Sequence, residues 1–127
     1  MKAKVQIETL DHLFENGQIQ QCQFIKMDVE GHEKEVLKGG VNYLAKSKPS
    51  ILYEFNAETA ELAGFGLPDL VSAINKFSPG CEHFLLWGDG HLIRVDITTL
   101  SIPKGCYIDI IAISEERLKM LDLAPNR

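Results

Sequence analysis

The spacing of hydrophobic residues changes several times along the chain, and each change predicts a new structural element. Residues 2–8 alternate between apolar and polar positions, which is typical of a half-exposed strand. Thr9 can cap a short helix that ends at Asn16-Gly17. Residues 24–29 begin with three apolar residues out of four and show no alternation. This pattern predicts a strand that is covered on both faces.

Helical spacing follows that strand. Residues 32–46 place apolar side chains at helical intervals, although Gly39-Gly40 inside the run weakens the prediction of one unbroken helix. The remaining predicted elements are a strand over 50–55, a loop with one helical turn over 56–65, a helix over 67–77, a hairpin of strands 83–87 and 91–96, a strand over 107–113 and a helix over 115–123. Strands alternating with helices predict α/β layers around a largely parallel sheet, to which the hairpin adds an antiparallel part.

Composition narrows the class of protein. Of the 127 residues, 45% are apolar and 24% charged, as in an ordinary soluble domain, and the length suits a single domain, 1–127, with a real core. Thirteen Lys+Arg against eighteen Asp+Glu give a net charge of -5, which argues against a nucleic-acid partner.

No apolar run reaches the ~18–20 residues of a membrane helix. The basic N-terminus runs into Gln6 and Glu8, so we expect no signal peptide. Three widely spaced cysteines without a CxxC pair indicate free thiols in a reducing cytoplasm.

Chemically reactive side chains are concentrated where one predicted strand ends and the next helix begins. Ligands of open parallel sheets bind outside the carboxyl ends of the strands. Asp28 and Glu30 are two residues apart, so they point the same way in extended backbone. Gly31 permits a sharp turn, and Glu33 suits the first turn of the helix that follows. Carboxylates here can bind a hydroxyl or ammonium group, act as a general base or, together with His32, hold a divalent metal.

A purely structural interpretation of these residues also stands. Glu30 and Glu33 would then stabilise the helix dipole, and His32 would be exposed to solvent. Glu54 repeats the pattern, because it ends the next predicted strand at the same edge of the sheet. The two strand ends predict a polar pocket, unless Glu54 pairs with a nearby surface lysine. No glycine-rich nucleotide loop, GxSxG or HExxH motif occurs in the sequence.

Three motifs carry a resemblance to a known family. They are Thr9-Leu10-Asp11-x-Leu13, Phe24-Ile25-Lys26-Met27-Asp28-Val29-Glu30-Gly31-x-Glu33-x-Glu35-Val36-Leu37-x-Gly39 and Lys48-Pro49-x-Ile51-Leu52-x-Glu54. With these motifs the chain resembles the FkbM family of S-adenosylmethionine-dependent methyltransferases over roughly residues 9–55. The middle motif is specific, and the rest of the match concerns only the order of elements.

The resemblance implies a fold and a reaction. The fold would be part of a Rossmann-like class I methyltransferase sheet, mixed parallel and antiparallel, with flanking helices. Residues 24–29 would be its fourth strand, residues 51–54 its fifth, and the later hairpin and strand its sixth and seventh. The reaction would be methyl transfer from S-adenosyl-L-methionine to an oxygen of a small molecule or sugar.

The resemblance also implies roles for individual residues. The carboxylates it assigns to catalysis are Asp28, Glu30, Glu33 and Glu54. The residues it assigns to the cofactor are Asp28 and Gly31, and those it assigns to the acceptor are Asp11 and His32. It assigns no residue to a metal.

One part of the family pattern is missing from the sequence. The glycine-rich cofactor loop and the acid that binds the ribose should lie upstream of the Thr-Leu-Asp motif, where only eight residues precede Thr9. We therefore expect the C-terminal portion of an FkbM-like methyltransferase domain, inactive on its own. Residues 24–29 would then form an exposed sheet edge that pairs with a second copy in a homo-oligomer, unless residues 2–8 cover it.

Two alternatives remain open at this point. One is a non-catalytic assembly or binding domain derived from a methyltransferase. The other is a small metal-dependent enzyme built on Asp28, Glu30, His32 and Glu54.

Overall fold

A computed structural model describes residues 2–121 of the chain. Within this range six helices and five strands follow one another. They are α1 (Leu10–Glu15), β1 (Phe24–Met27), α2 (Glu33–Lys38), α3 (Val41–Ser47), β2 (Ser50–Asn56), α4 (Ala57–Ala63), α5 (Leu67–Phe77), β3 (Glu82–Leu86), β4 (Leu92–Arg94), β5 (Tyr107–Ile113) and α6 (Glu115–Met120). None of the helices between residues 2 and 121 combines the length and the hydropathy needed to cross a bilayer.

The five strands form one sheet in the order β1-β2-β5-β3-β4. β1 pairs with β2 in parallel, and the other three pairings are antiparallel. The mixed sheet implied by the family resemblance is therefore confirmed, and the largely parallel sheet expected from the strand–helix alternation is wrong. The physical reason is that β5, the last strand along the chain, enters between β2 and β3 with the opposite direction.

Most of the core lies between one face of the sheet and the helices α2, α3 and α5. Tyr53 and Ile110 face each other across β2 and β5 and are almost fully buried, as are Leu70 and Ile74 on α5. Because side chains alternate across a strand, the neighbouring positions point to the opposite face. There a smaller cluster packs beneath α6, formed by Phe84, Ile113 and Leu118.

The first two predicted strands differ from the structure. Residues 2–8 form no strand, and Val5 and Ile7 are 81% and 90% exposed, because nothing in the described chain pairs with this segment. β1 ends at Met27 and is not covered on both faces, since Phe24 is 52% exposed. The prediction of a doubly covered strand is wrong because β1 is the edge of the sheet, and Phe24 and Lys26 on its second face remain exposed. β1 is an edge strand of the described sheet, as expected, but it covers residues 24–27 and not the whole of 24–29.

The helical predictions hold with two corrections. The run over 32–46 is divided into α2 and α3 at Gly39-Gly40. The segment 56–65 is not a loop with one turn but contains α4, whose N-terminus is capped by the Asn56 side chain through bonds to the Glu58 and Thr59 amides. α6 covers Glu115–Met120, and the last two residues of the helix predicted over 115–123 lie outside the described residues.

Asp11 explains why the chain breaks between α2 and α3. Its carboxylate accepts hydrogen bonds from the amides of Asn42 (3.2 Å) and Tyr43 (2.7 Å), which lie in the first turn of α3. Gly40 lets α1 approach this point, because a Cβ there would lie 2.9 Å from the Leu10 side chain. The Thr-Leu-Asp motif and the glycine pair thus together allow α1 to pack against the junction of α2 and α3.

Replacing Asp11 with Ala is expected to lower the free energy of unfolding by about 1 kcal/mol, within the ~0.5–2 kcal/mol typical of a lost helix cap. The loss follows because two amides of α3 would lose their acceptor. Urea denaturation followed by circular dichroism measures it. The neighbouring exposed carboxylate Glu15 is the control, and an equal loss in Glu15→Ala would contradict a specific capping role.

Candidate functional site

The carboxyl ends of β1 and β2 meet at one edge of the sheet. The two strands are parallel, and Met27 lies opposite Tyr53 in their register. The next residue on each strand is a carboxylic acid, Asp28 after β1 and Glu54 within β2. The pairing therefore brings together the two acids that the sequence placed at the ends of neighbouring strands.

Two small adjoining clefts open at this edge and share Asp28 and Glu54. The first has a volume of about 230 Å³, and its lining consists of Lys26, Met27, Asp28, Leu52, Tyr53, Glu54 and Asp109. The second has a volume of about 220 Å³, and its lining consists of Asp28, Glu30, Glu33, Glu54, Asn56 and Thr59. Five carboxylates and one ammonium group therefore surround the two clefts.

The turn between β1 and α2 positions two of these acids. Glu30 and Gly31 both have positive φ angles, 48° and 96°. Gly31 donates its amide hydrogen to Glu33 Oε2 at 3.0 Å, and Glu33 is only 5% exposed. A Cβ on Gly31 would contact the Thr59 carbonyl oxygen at 3.5 Å, so the turn lies directly against α4. The glycine holds the acidic turn in a conformation that L-residues rarely adopt.

Glu54 is the acid whose ionisation this arrangement alters most clearly. Partial desolvation in the cleft raises the pKa of Glu54, and the negative charges of Asp109, Asp28, Glu30 and Glu33 raise it further. Asp109 acts from the neighbouring strand, since Glu54 and Asp109 are directly opposite in the β2–β5 register. Like charges placed opposite each other on antiparallel strands repel. The cleft therefore favours a proton or another positive charge close to Glu54.

The residues predicted from the sequence divide into two groups. The four predicted catalytic acids line the clefts together; they are Asp28, Glu30, Glu33 and Glu54. Gly31 shapes the turn between them. The two residues predicted to bind the acceptor lie elsewhere: Asp11 caps α3, and His32 is an exposed residue that precedes α2 and lines neither cleft. Glu54 forms no ion pair within residues 2–121, so the expected alternative of a surface pair with lysine is absent from the described chain.

Several polar and charged residues that line the clefts are not among the site residues predicted from the sequence. Asp109 interrupts the otherwise apolar strand β5. An acid in an apolar strand is the same signal that indicated Glu54, so it could also have indicated Asp109. Asn56 and Thr59 lie at the start of α4, in a segment for which the sequence predicts a loop with one helical turn. Lys26 belongs to the motif around Asp28, and its side chain lies on the same side of β1 as that of Asp28.

The chemistry of these clefts is that of hydrogen-bond acceptance and proton transfer. Carboxylates can accept hydrogen bonds from hydroxyl or ammonium groups. A carboxylic acid whose pKa is raised gains and loses its proton at a pH closer to neutrality, as a general base requires. Among residues 2–121, no three His, Cys, Asp or Glu side chains are arranged to hold a metal ion. The metal-dependent alternative therefore has no candidate centre in the described part of the chain.

A second polar cluster lies near the start of β3. The Cys81 thiol donates to Asn75 Oδ1 at 3.1 Å and lies 3.7 Å from Nε2 of His83, which is itself 3.3 Å from Asn75 Oδ1. Burial raises the pKa of Cys81 to about 11 and lowers the pKa of His83. The thiol is therefore protonated at neutral pH, so this cluster lacks the thiolate that a cysteine nucleophile requires.

The pH dependence of stability tests the environment of Glu54. An unfolded glutamate has a pKa near ~4.3. Because the pKa of Glu54 is raised in the folded protein, the folded state binds the proton more tightly, and stability falls as pH rises above the unfolded value. Glu54→Gln should remove this cost and raise Tm at pH 7 by about 1–3 °C, a small effect because the side chain is exposed.

Thermal unfolding of both proteins between about pH 3 and pH 8 gives the comparison. The gain in Tm should disappear at the acid end, where Glu54 is protonated in both the folded and the unfolded state. Glu61→Gln, an exposed substitution on α4, is the control and should leave the pH profile unchanged. A gain of equal size at every pH would contradict the electrostatic origin.

Comparison with known proteins adds an independent observation. The family model described as the methyltransferase FkbM domain matches residues 2–84, about two thirds of the chain. The match includes both strand ends that carry Asp28 and Glu54, but not the strand that carries Asp109. No curated protein and no solved structure matches the chain significantly. The chain therefore belongs to the FkbM methyltransferase domain family.

Proposed function

We propose that the carboxylates at the ends of β1 and β2 bind the acceptor hydroxyl of a methyl transfer. One observation carries the proposal: Asp28 and Glu54, from two parallel strands, share the lining of both clefts in a chain of the methyltransferase family. The acceptor is a small molecule or a sugar, because each cleft has room for only part of a drug-sized ligand.

The residues of the clefts support this role through their ordinary chemistry. A hydroxyl group donates a hydrogen bond to a carboxylate, which orients the oxygen lone pairs and draws the proton away from the oxygen. When that oxygen forms a bond to carbon, its proton must leave, and a nearby carboxylate can accept it. Glu54 is suited to this step because its pKa is raised and its position is shared by both clefts. Lys26 can balance the charge of the acids around it.

The described residues do not fit the whole of S-adenosyl-L-methionine, the cofactor that the family implies. Carboxylates suit its ribose hydroxyls and its positive sulfur, but they repel its carboxylate, and Lys26 is the only ammonium group among the cleft linings. β1 is also the edge of the sheet, so within residues 2–121 no further strand closes the cleft on that side. We therefore propose that this chain on its own contributes the acceptor side of the site and does not transfer methyl groups.

Isothermal titration calorimetry with S-adenosylhomocysteine tests the cofactor part of the proposal. We expect no measurable binding to the chain at ligand concentrations up to about 1 mM. Binding with a Kd of about 1 mM, which corresponds to a binding free energy of roughly -4 kcal/mol, would still be detected. Saturable binding with a Kd below about 100 µM would contradict the assignment of this chain to the acceptor side alone.

An NMR titration tests the acceptor part. Backbone amide shifts of the ¹⁵N-labelled chain are followed during addition of a series of monosaccharides and simple polyols. Changes confined to the linings of the two clefts, weakened in Asp28→Asn and unaltered in Glu61→Gln, are the expected result. Shifts distributed outside the clefts, or binding that Asp28→Asn leaves unaltered, would contradict a hydroxyl-binding site at this edge.

We also propose that β1 pairs with β1 of a second copy of the chain. This pairing is the contact through which the chain would act as an assembly domain. The exposed edge and the 52% exposure of Phe24 support this proposal. Sedimentation velocity should then show a dimer that dissociates in Phe24→Lys. The control Tyr107→Lys, which alters an exposed aromatic residue on β5, should remain dimeric. A monomer at all concentrations would contradict the proposal.

A further inference from the structure

A predominantly apolar groove lies in the helical layer, separate from the acidic clefts. It has a volume of about 420 Å³ and runs between α5 on one side and α2 and α3 on the other. Its floor is formed by Leu37, Val41, Ala73 and Phe77, and Val41 is 56% exposed although it is apolar. The groove shares no lining residue with either cleft.

The rim of the groove is positively charged. Lys34 and Lys38 are one helical turn apart on α2 and therefore lie on one face of that helix, and Lys76 stands on α5. Within residues 2–121 none of these three ammonium groups forms an ion pair. Asp69 is the single carboxylate in the lining, and it accepts the Gly66 amide hydrogen at the start of α5.

This charge is unusual for the chain, whose net charge is -5. Three unpaired cations around an apolar floor complement a ligand that has apolar side chains flanked by carboxylates. The α5 side of the groove extends from Asp69 to Phe77, about 12 Å or two helical turns at 1.5 Å per residue. Two turns of a partner helix can place residues i, i+3 or i+4 and i+7 along such a length.

We propose that the groove formed by α2, α3 and α5 binds an amphipathic helix of a partner protein whose apolar face is bordered by acidic residues. The leucine-like side chains of that helix would cover Val41 and Ala73, and its carboxylates would face Lys34, Lys38 and Lys76. The occupant is a helix rather than an extended strand, because the exposed walls are helices and offer no free backbone hydrogen-bonding groups along their length. This proposal is independent of the methyltransferase chemistry.

Fluorescence anisotropy with a synthetic helix tests the proposal on the whole chain. The probe is a capped, labelled peptide of about 14 residues with leucines on one face and glutamates along both borders of that face. We expect a Kd on the order of tens of micromolar that rises at least tenfold in the variant Lys34→Glu/Lys38→Glu/Lys76→Glu. Val41→Asp should weaken binding by about fivefold, since it places a charge on the apolar floor.

Two matched controls accompany these variants. The variant Lys2→Glu/Lys4→Glu/Lys104→Glu makes the same change in net charge at exposed lysines outside the groove and should bind the probe like the unaltered chain. A probe with lysine in place of every glutamate should not bind. Circular dichroism of each variant establishes that the fold is intact.

Each remaining outcome overturns the proposal. Equal binding of the two probes, equal loss in the two triple variants, or no binding at about 1 mM probe would exclude a groove selective for acidic helices. If light scattering shows that the chain self-associates and that only the groove variant is monomeric, the occupant is a second copy. If dodecanoate displaces the probe at a lower concentration than an unlabelled acidic helix does, the groove is a site for an anionic amphiphile.

Discussion

Ile110→Ala is expected to lower the free energy of unfolding by about 2–5 kcal/mol, the largest effect we predict for a single substitution. Ile110 has no exposed surface and lies in β5, opposite Tyr53 of β2 and Leu85 of β3. Removing its side chain leaves a cavity between the central strand and the helices that cover it. Domains of this size are typically stable by only ~5–15 kcal/mol, so a large share of the total would be lost.

Equilibrium unfolding in urea, followed by both fluorescence of the single tryptophan and circular dichroism, measures this loss. The control is Val5→Ala, which truncates an apolar side chain that is 81% exposed and should change stability by less than about 0.5 kcal/mol. Similar losses in the two variants would mean that β5 is not the centre of the sheet.

Gly31→Val is expected to lower the free energy of unfolding by about 1–3 kcal/mol and to disturb the acidic turn. Gly31 has a φ of 96°, a conformation that a β-branched residue adopts only under strain, and its Cβ would also touch the Thr59 carbonyl. The chain can relieve the strain only by moving the turn, which would break the hydrogen bond from Gly31 to Glu33.

A matched substitution at another glycine distinguishes the effect of backbone strain from the effect of losing glycine's flexibility. Gly88 lies in the β3–β4 turn without a positive φ, and a Cβ there meets nothing within 4 Å. Gly88→Val should therefore be nearly neutral in the same urea experiment. Amide NMR spectra of Gly31→Val should show changes in residues 28–33 and around Thr59, and an unchanged spectrum there would contradict the strain argument.

Repulsion between the carboxylates of the acidic clefts lowers the stability of the folded protein. Glu54 and Asp109 are paired across antiparallel strands, and the raised pKa of Glu54 reflects both its partial desolvation and the surrounding negative charge. Proteins retain such unfavourable clusters where a ligand or a reaction requires them. A ligand that carries hydrogen-bond donors relieves the repulsion, which agrees with the hydroxyl acceptor proposed for this edge.

The sequence was most informative where chemistry and local pattern coincide. The sequence predicts that Asp28 and Glu54 meet because they lie near the carboxyl ends of two compact apolar strands, and parallel strands align those ends at one edge. Asp109 interrupts an apolar strand as Glu54 does, but its position opposite Glu54 depends on β5 entering the sheet between β2 and β3. Asp11 was assigned to the acceptor from the family motif, whereas its contacts with the amides of α3 became visible only with the tertiary structure.

The sequence alone determined most of the helices and strands and the family. Hydrophobic spacing is a local property, since each helix or strand must bury one face, and the motif around Asp28 is contiguous in the chain. Only the tertiary structure decided the order of the strands, the pairing of Glu54 with Asp109 and the lysine-bordered groove beside α5. These features arise from contacts between residues far apart in the chain, where packing and strand direction select the partners and local periodicity carries no information.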